Sequence, residues 1–419
     1  MSASYRRLFA APGALAFTLT GLLARLSFSM TGVSTVVLVA TRWDSYALAG
    51  AVSAAGVAAV AVGMPLLGRL VDRYGQARVS VPCVLAAAGP MAGLLLCAHY
   101  GAPAWTLFVC QPLASVLPNL GGMARARWAH LYADDPDARH TANSLEQSLD
   151  EVCFMAGPVL GMALCTSLFP EAGLLTGAVL GGTGLLLFAA QRRTEPPVAP
   201  LAAPGTARSG VLRSRRLRLL VAVFTATGVL FGAMEVTTVA YADALGHRAA
   251  AGWLLGLVAA GSGISGLLSG LVRSRTGPAT RLLAGLGVLA LLVLLPLLVG
   301  RAGGGLALLG PALFAVGVAV APTMVTGMTL VQEVLPEGRL NEGMGLAVAG
   351  ILVGISAGAA VGGAVAQHAS PGTGYAIPAA AALLALAVTA AGHRQLNRAT
   401  GRATGGGGTH EGAEVPVAG

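Results

Sequence analysis

The sequence predicts an all-α integral membrane protein with twelve transmembrane helices arranged as two six-helix pseudo-repeat halves. Three observations predict it. Charge is too sparse for a water-facing surface, apolar runs of membrane-spanning length follow one another along the chain, and the arginines fall on alternate sides of those runs.

Only 10% of the 419 residues are charged and 55% are hydrophobic, whereas a soluble domain carries roughly 25% charged residues. Lipid must therefore replace water around most of the chain. The 59 glycines are spread through the apolar runs, which suits close helix–helix approach inside a bilayer. The five cysteines, Cys83, Cys97, Cys110, Cys153 and Cys165, each sit in an apolar segment without a metal-ligand spacing. They read as small apolar packing residues, and no metal or cofactor is expected. Arg6 and Arg7 precede an apolar stretch that contains Arg25 and lacks a small-x-small cleavage site, so that stretch reads as a first span rather than a signal peptide.

A span needs about 20 mostly apolar residues. Such runs fall near 13–39, 44–67, 79–99, 104–124, 143–168, 171–190, 218–241, 249–272, 281–300, 303–328, 343–367 and 374–392. With the N terminus in the cytoplasm, the inner segments hold 22 arginines, whereas the outer loops hold only Arg42, Arg248 and Arg301. This asymmetry predicts a multi-pass protein of the cytoplasmic (inner) membrane with both termini inside. It also reassigns the net charge of +9 to topology, so no nucleic-acid partner is expected.

Residues 1–190 form the first six-span half and 218–392 the second. Between them 191–217 is basic and proline-rich, which predicts a flexible cytoplasmic linker, and 393–419 is expected to be a disordered cytoplasmic tail. The halves echo each other at an offset of 202: Gly68 to Gly75 aligns with Gly270 to Gly277, and Arg73 falls on Arg275. At an offset of 201, Gly157 and Gly161 align with Gly358 and Gly362. Two related halves place a binding site between them.

The loop Gly68-Arg-Leu-Val-Asp72-Arg73-Tyr-Gly75-Gln-Ala-Arg78 resembles the signature loop of the major facilitator superfamily. The resemblance implies the major facilitator fold, secondary transport, and a conformational latch formed by Gly68, Asp72, Arg73, Gly75 and Arg78, with Asp72 and Arg73 carrying the role. In the fifth span Gly157-Pro158-Val-Leu-Gly161 resembles, in part, the Gly-Pro signature of drug/proton antiporters; a proline kink with small-residue packing explains it as well. The resemblance points to efflux members of the actinobacterial drug/metabolite type. One feature departs from proton-coupled members, in which the fourth span carries an arginine. Here Gln111 and Asn119 are its polar residues, and Arg125 and Arg127 are expected at its cytoplasmic end.

Ionisable groups inside a span cost about 2.5–3.5 kcal/mol on insertion scales and usually mark a cavity or a partner. Arg25 lies near the middle of the first span, about 18 Å from the cytoplasmic side, and Asp150 lies about 10 Å deep in the fifth. The superfamily fold makes these spans neighbours, so an Arg25–Asp150 pair is expected, either as a structural ion pair or as part of a substrate or proton site. Glu146 and Glu151 are expected to contact the arginine-rich loops. Glu235, with no basic residue in the middle of the seventh span, is a candidate for proton exchange or for a cationic substrate. It could also be an interfacial residue reaching outer water. Thr323 and Thr326, beside Pro322 and Met328 in the tenth span, complete the candidate site with Gln111 and Asn119. The eleventh span carries Gly350, Gly354, Gly358 and Gly362 at i, i+4 spacing. That ladder either slides against the second span or packs within the C-terminal half.

The expected activity is alternating-access transport of a small molecule, as proton-coupled efflux of a drug-like or secondary-metabolite compound. A substrate-specific uptake carrier and a non-transporting sensor or assembly partner on the same scaffold are the alternatives. The expected partners are the substrate, protons and the lipid bilayer, and the chain is expected to act as a monomer. Neither a phosphate-binding loop nor an HExxH, GxSxG or paired-Asp motif is present, so no enzymatic activity is expected.

Overall fold

The computed structural model describes residues 3–198, 213–247, 250–271, 276–335, 338–368 and 371–403. Arg275 of the repeat, residues 199–212 of the linker and the tail after residue 403 lie outside the described residues.

A short helix α1 (Ala3–Leu8) precedes the first span, α2 (Ala14–Trp43). Then come α3 (Tyr46–Tyr74), α4 (Gln76–His99), α5 (Trp105–Ser115), α6 (Leu120–Leu131), α7 (Pro136–Ser167) and α8 (Ala172–Ala190). The second half comprises α9 (Arg215–Ala244), α10 (Ala250–Ser269), α11 (Pro278–Ala302), α12 (Gly305–Val334), α13 (Leu340–His368) and α14 (Ala376–Ala403). Counting α5 and α6 as one broken span, twelve segments among the described residues are long and apolar enough to cross a bilayer. The last helix continues through Ala403, so the chain from 393 to 403 is helical where a disordered tail was expected. His393 reaches Thr280 at 3.3 Å, which ties that extension to the start of α11.

Local chemistry sets the helix ends. Ser45 accepts from the Leu48 amide at 3.1 Å to start α3, and Asp135 accepts from Ala138 at 2.9 Å with Pro136 in the first turn of α7. Gly75, at φ 94°, makes the turn between α3 and α4 that a side chain would strain. The fourth span breaks because Val116 and Asn119 take extended backbone around Pro118.

Each half buries its own apolar core. One cluster runs from Leu217 to Leu396 and includes Phe224, Leu286, Leu313 and Tyr375. The N-terminal half holds two, one around Phe17, Trp128 and Phe188, the other around Leu38, Leu94 and Leu107. Leucines and valines such as Leu15, Val62, Leu85, Leu291 and Leu298 remain exposed on the outer surface, as a lipid-facing surface requires.

The glycine ladder packs within the C-terminal half. A Cβ on Gly350 would lie 2.9 Å from Thr225 Oγ1, one on Gly354 2.9 Å from Gly228 Cα, and one on Gly362 3.0 Å from Ala233 Cα. Gly228 and Gly232 of α9 answer the ladder from the other side. Backbone thus touches backbone along α9 and α13, so this ladder faces α9 and not α3, which meets α13 nearer its start. Gly354→Leu should therefore lower the thermal unfolding midpoint, with overpacking costing about 1–3 kcal/mol or more, whereas Gly287→Leu at an open position should leave it unchanged. Gly157 and Gly161 likewise serve packing, since Cβ atoms there would meet Ser29 Cβ at 2.5 Å and Ser34 Oγ at 2.7 Å on α2. Pro158 lies inside α7 between them.

The halves meet through α3 against α13 and through α7 against α10 and α12. The repeat glycines mark both crossings: Gly68 lies against the backbone of Asn341 and Glu342, and Gly270 against Tyr5 and Ser144. These crossings lie toward one end of the molecule, called here the arginine-rich face. The Tyr5 hydroxyl of α1 also donates across the halves there, to Leu267 O at 2.7 Å. Burial pushes the Tyr5 phenol up to about 12, so it remains a donor at neutral pH.

Candidate functional site: a helix-capping latch and a buried charge network

Asp72 stands at the end of α3 and points at the first turn of α13, whose amides have no partner within their own helix. Its Oδ1 accepts from the Asn341 amide at 3.0 Å and from Asn341 Nδ2 at 2.8 Å. Its Oδ2 accepts from the Glu342 amide at 2.8 Å. One half therefore supplies the N-terminal cap of a helix in the other, with a negative charge on the positive end of the helix dipole. Arg69 donates Nε and Nη2 to Glu342 Oε1 at 3.1 and 2.7 Å.

Two residues of the expected latch set, Arg73 and Arg78, stay outside these bonds. Arg73 is exposed and stacks on Tyr74, with its guanidinium carbon 5.1 Å from the ring centroid, so Arg69 holds the place expected of it. Helical geometry explains the exchange, because Arg69 is three residues from Asp72 and shares its face, while Arg73 is rotated away. Arg78 is exposed and takes no part in these bonds. Gly75 lies against Glu195, which accepts from the Ala77 amide at 3.0 Å and so pins the loop to the start of the linker.

Deeper in the N-terminal half, Arg25 and Asp150 do pair, at 2.9 Å, as part of a larger network. Arg25 Nη1 also lies 2.7 Å from Glu146 Oε2, and the Trp128 indole donates to Glu146 Oε1 at 2.6 Å. Arg125 holds the other oxygen of Asp150 at 2.9 Å and reaches Gln147 Oε1 at 3.5 Å. Arg25 is 7% exposed, Arg125 3% and Glu146 not at all.

Two expectations are corrected by this network. The fourth span does carry an internal arginine: α6 continues to Leu131, and Arg125 is buried instead of lying at a loop. Glu146 does not contact the arginine-rich loops, because four residues of helix separate it from Asp150 and put both carboxylates on the face turned to Arg25. Glu151 accepts from Gln147 Nε2 at 3.0 Å, also away from those loops.

The break in the fourth span adjoins this network. Asn119 caps α6 by accepting from the Gly122 amide at 3.1 Å, and its Nδ2 is buried without a partner. A Cβ on Gly121 would lie 3.0 Å from Arg125 Nη1, 3.6 Å from Asn119 Oδ1 and 3.8 Å from Asp150 Oδ1, so these three converge. Gln111 sits higher, at the end of α5, where Nε2 meets Ser115 at 3.4 Å and Oε1 has no partner. Spare hydrogen-bonding groups beside irregular backbone at membrane depth are suited to a polar ligand.

The remaining candidates stand apart. Thr323 and Thr326 donate to carbonyls of their own helix, Ala319 at 2.7 Å and Pro322 at 2.8 Å. Thr323 also packs on Gly285 of α11, so it is a packing residue. Glu235 lies in the other half from Arg25, is exposed, and has no ion partner among the described residues. A further set escaped the sequence altogether: Asn143 bonds Gln332 and Thr329 at 3.0 and 3.2 Å across the halves, while His140 meets Ser269 O at 3.0 Å. Uncharged residues on long apolar helices give no one-dimensional signal of such pairing.

No curated protein matches the sequence. Among solved structures, the chain is similar to the human organic anion transporter MFSD10 (TETRAN), with 18% identity and a TM-score of 0.68 over 93% of this chain and 100% of that one. It is similar to a bacterial homologue of the iron transporter ferroportin in the outward-facing state, with 16% identity and a TM-score of 0.68 over 93% and 99%. It also resembles the E. coli fucose:proton symporter FucP, with 16% identity and a TM-score of 0.65 over 90% and 98%. At these identities the likeness is one of fold. Residues 17–341 match the Major Facilitator Superfamily itself, more than half of the chain. With that match and twelve candidate spans among the described residues, this chain belongs to the Major Facilitator Superfamily of secondary transporters.

Proposed function

We propose that the chain exports a small drug-like or secondary-metabolite compound in exchange for protons, by alternating access across the cytoplasmic membrane with its arginine-rich face inside. The observation that carries this is the concentration of inter-half polar bonds at that face, including Asp72 to α13, Arg69 to Glu342, Asn143 to Gln332 and Thr141 to Gly270. A closed arginine-rich face is in keeping with an outward-facing state in this reading. The likeness to an outward-facing ferroportin homologue is in keeping with that.

In this reading Gln111, Asn119 and the Arg25–Asp150 network line the substrate path from the N-terminal half. Glu235, on the C-terminal half, meets a positive group on the substrate in the same reading. Substrates would first be found by ligand-dependent thermal shift. In inside-out vesicles an acidified lumen should then drive their accumulation. Accumulation only under the opposite gradient would indicate an uptake carrier, and none under either gradient would defeat transport. Glu235→Gln should raise the half-saturating concentration of cationic substrates while leaving neutral ones unchanged, as read from initial rates against concentration.

A further inference from the structure

We infer that Glu151, at the seam between α7 and α10, is the carboxylate that carries the coupling proton. The inference rests on the exchange reading above and assigns its proton to one residue.

Charge accounting comes first. Within the membrane-spanning part of the N-terminal half, Arg25 and Arg125 are engaged by Glu146 and Asp150 in the buried network. Two cations meet two anions, and Glu151 is left over. Among the described residues it has no ion partner; its bond is to the neutral Gln147 amide at 3.0 Å. The elements packed on α7 offer nothing else at that depth. α8 and α10 carry no charged residue, and the one on α12 is Glu333 near its end. On α2 and α6 the other basic residues are Arg42 and Arg127, which bond to Glu171 and to Gln76, and His130, exposed in the last turn of α6. α1 brings Arg6 and Arg7 to the start of α7, far from Glu151, where Arg7 pairs with Asp135. An unneutralised carboxylate in a protein interior within the bilayer is costly, and binding a proton removes the cost.

Position is the second argument. The α7 residues that join the halves run His140, Thr141, Asn143, Ser144 and Ser148, the last reaching Gly263 O at 3.3 Å. Glu151 is the next residue on that side, one turn beyond the closed seam. Opposite it on α10, the fully buried Ser262 hydroxyl faces the carboxylate across the two halves, close enough to interact with it though outside strict hydrogen-bond geometry. A proton on Glu151 removes a negative charge from that seam, and its loss restores the charge.

Third, the site is wired to the network. Gln147 accepts from Arg125 with Oε1 and donates to Glu151 with Nε2. A change of charge on Glu151 thus acts on the Arg125–Asp150 pair beside Asn119. The step balances simply: the carboxylate takes one proton from water on the open side, forming an O–H bond, and returns it to water when the arginine-rich face opens.

The test uses the full-length protein in liposomes. Wild type should accumulate substrate against a pH gradient and should also exchange labelled for unlabelled substrate with no gradient. E151Q, a permanent mimic of the protonated acid, should lose gradient-driven accumulation and substrate-driven proton movement while retaining that exchange. Retained exchange also demonstrates folding. Gradient-driven accumulation by E151Q would overturn the assignment, as would loss of exchange in a protein of normal thermal stability. If E151Q fails to fold, E151D should keep proton movement with a displaced pH midpoint, and an unshifted profile would overturn the assignment. Absence of proton coupling in wild type would instead defeat the exchange reading itself.

Discussion

Arg25→Met should destabilise the protein by about 3–5 kcal/mol, the cost of leaving a buried anion without its partner. Arg25 Nη1 is shared between Glu146 at 2.7 Å and Asp150 at 2.9 Å. Asp150 would keep Arg125, but Glu146 would keep only the Trp128 indole. Glu146 is fully buried and water cannot replace the guanidinium, so the loss falls on that carboxylate. Arg25→Met combined with Glu146→Gln should recover most of the stability, because an uncharged pair of similar shape removes the stranded anion. Thermal unfolding of the purified variants checks both statements. Equal midpoints for the wild type and the single variant would show that the pair is not desolvated, and a double variant no better than the single would place the cost in packing.

Asp72→Asn should shift the protein away from the state closed at the arginine-rich face. The variant keeps the shape of the side chain but loses its charge and one of its two acceptor oxygens, hence the bond from the Asn341 or the Glu342 amide. A charge at a helix N terminus together with its cap contributes about 1–2 kcal/mol, so the ratio of closed to open molecules should fall by a factor of about 5–30. Spin labels at the exposed positions Arg78 and Arg215, one on each half, would report the change as a second, longer distance. Arg69→Gln should act in the same direction but less strongly, because its side chain is 58% exposed and solvent screens it. An unchanged distance distribution in Asp72→Asn would mean that the cap does not hold the two halves.

The span count and the signature loop were legible because they depend on the chain alone. Twenty or so apolar residues make a span wherever they lie, and Gly68, Asp72 and Gly75 kept their places as the loop turned. The repeat offset was also legible, because Gly68 and Gly270 each sit at a crossing with no room for a Cβ, the first against the backbone of Asn341 and Glu342, the second against the side chains of Tyr5 and Ser144. Pairing on helix faces was legible only in part. The Arg25–Asp150 pair followed from depth, but Arg125 was missed because the fourth span was ended at 124, whereas α6 runs to Leu131 and draws it into the membrane-spanning part. Glu146 lay inside the fifth span from the start, but nothing in the sequence shows that Arg25 reaches one turn beyond Asp150 to meet it.

By itself the sequence determined that this protein is a bundle of about twelve membrane helices in two related halves, since length, apolarity and glycine spacing are one-dimensional properties. Tertiary structure alone decided which face each polar residue turns to and what lies opposite. It sent the ladder from Gly350 to Gly362 onto α9 and put Arg69, not Arg73, into the bonds between the halves. It also left Glu151 at the seam between the halves without an ion partner among the described residues. Each of these depends on the rotation and depth of one helix against another, which packing sets and no local pattern encodes.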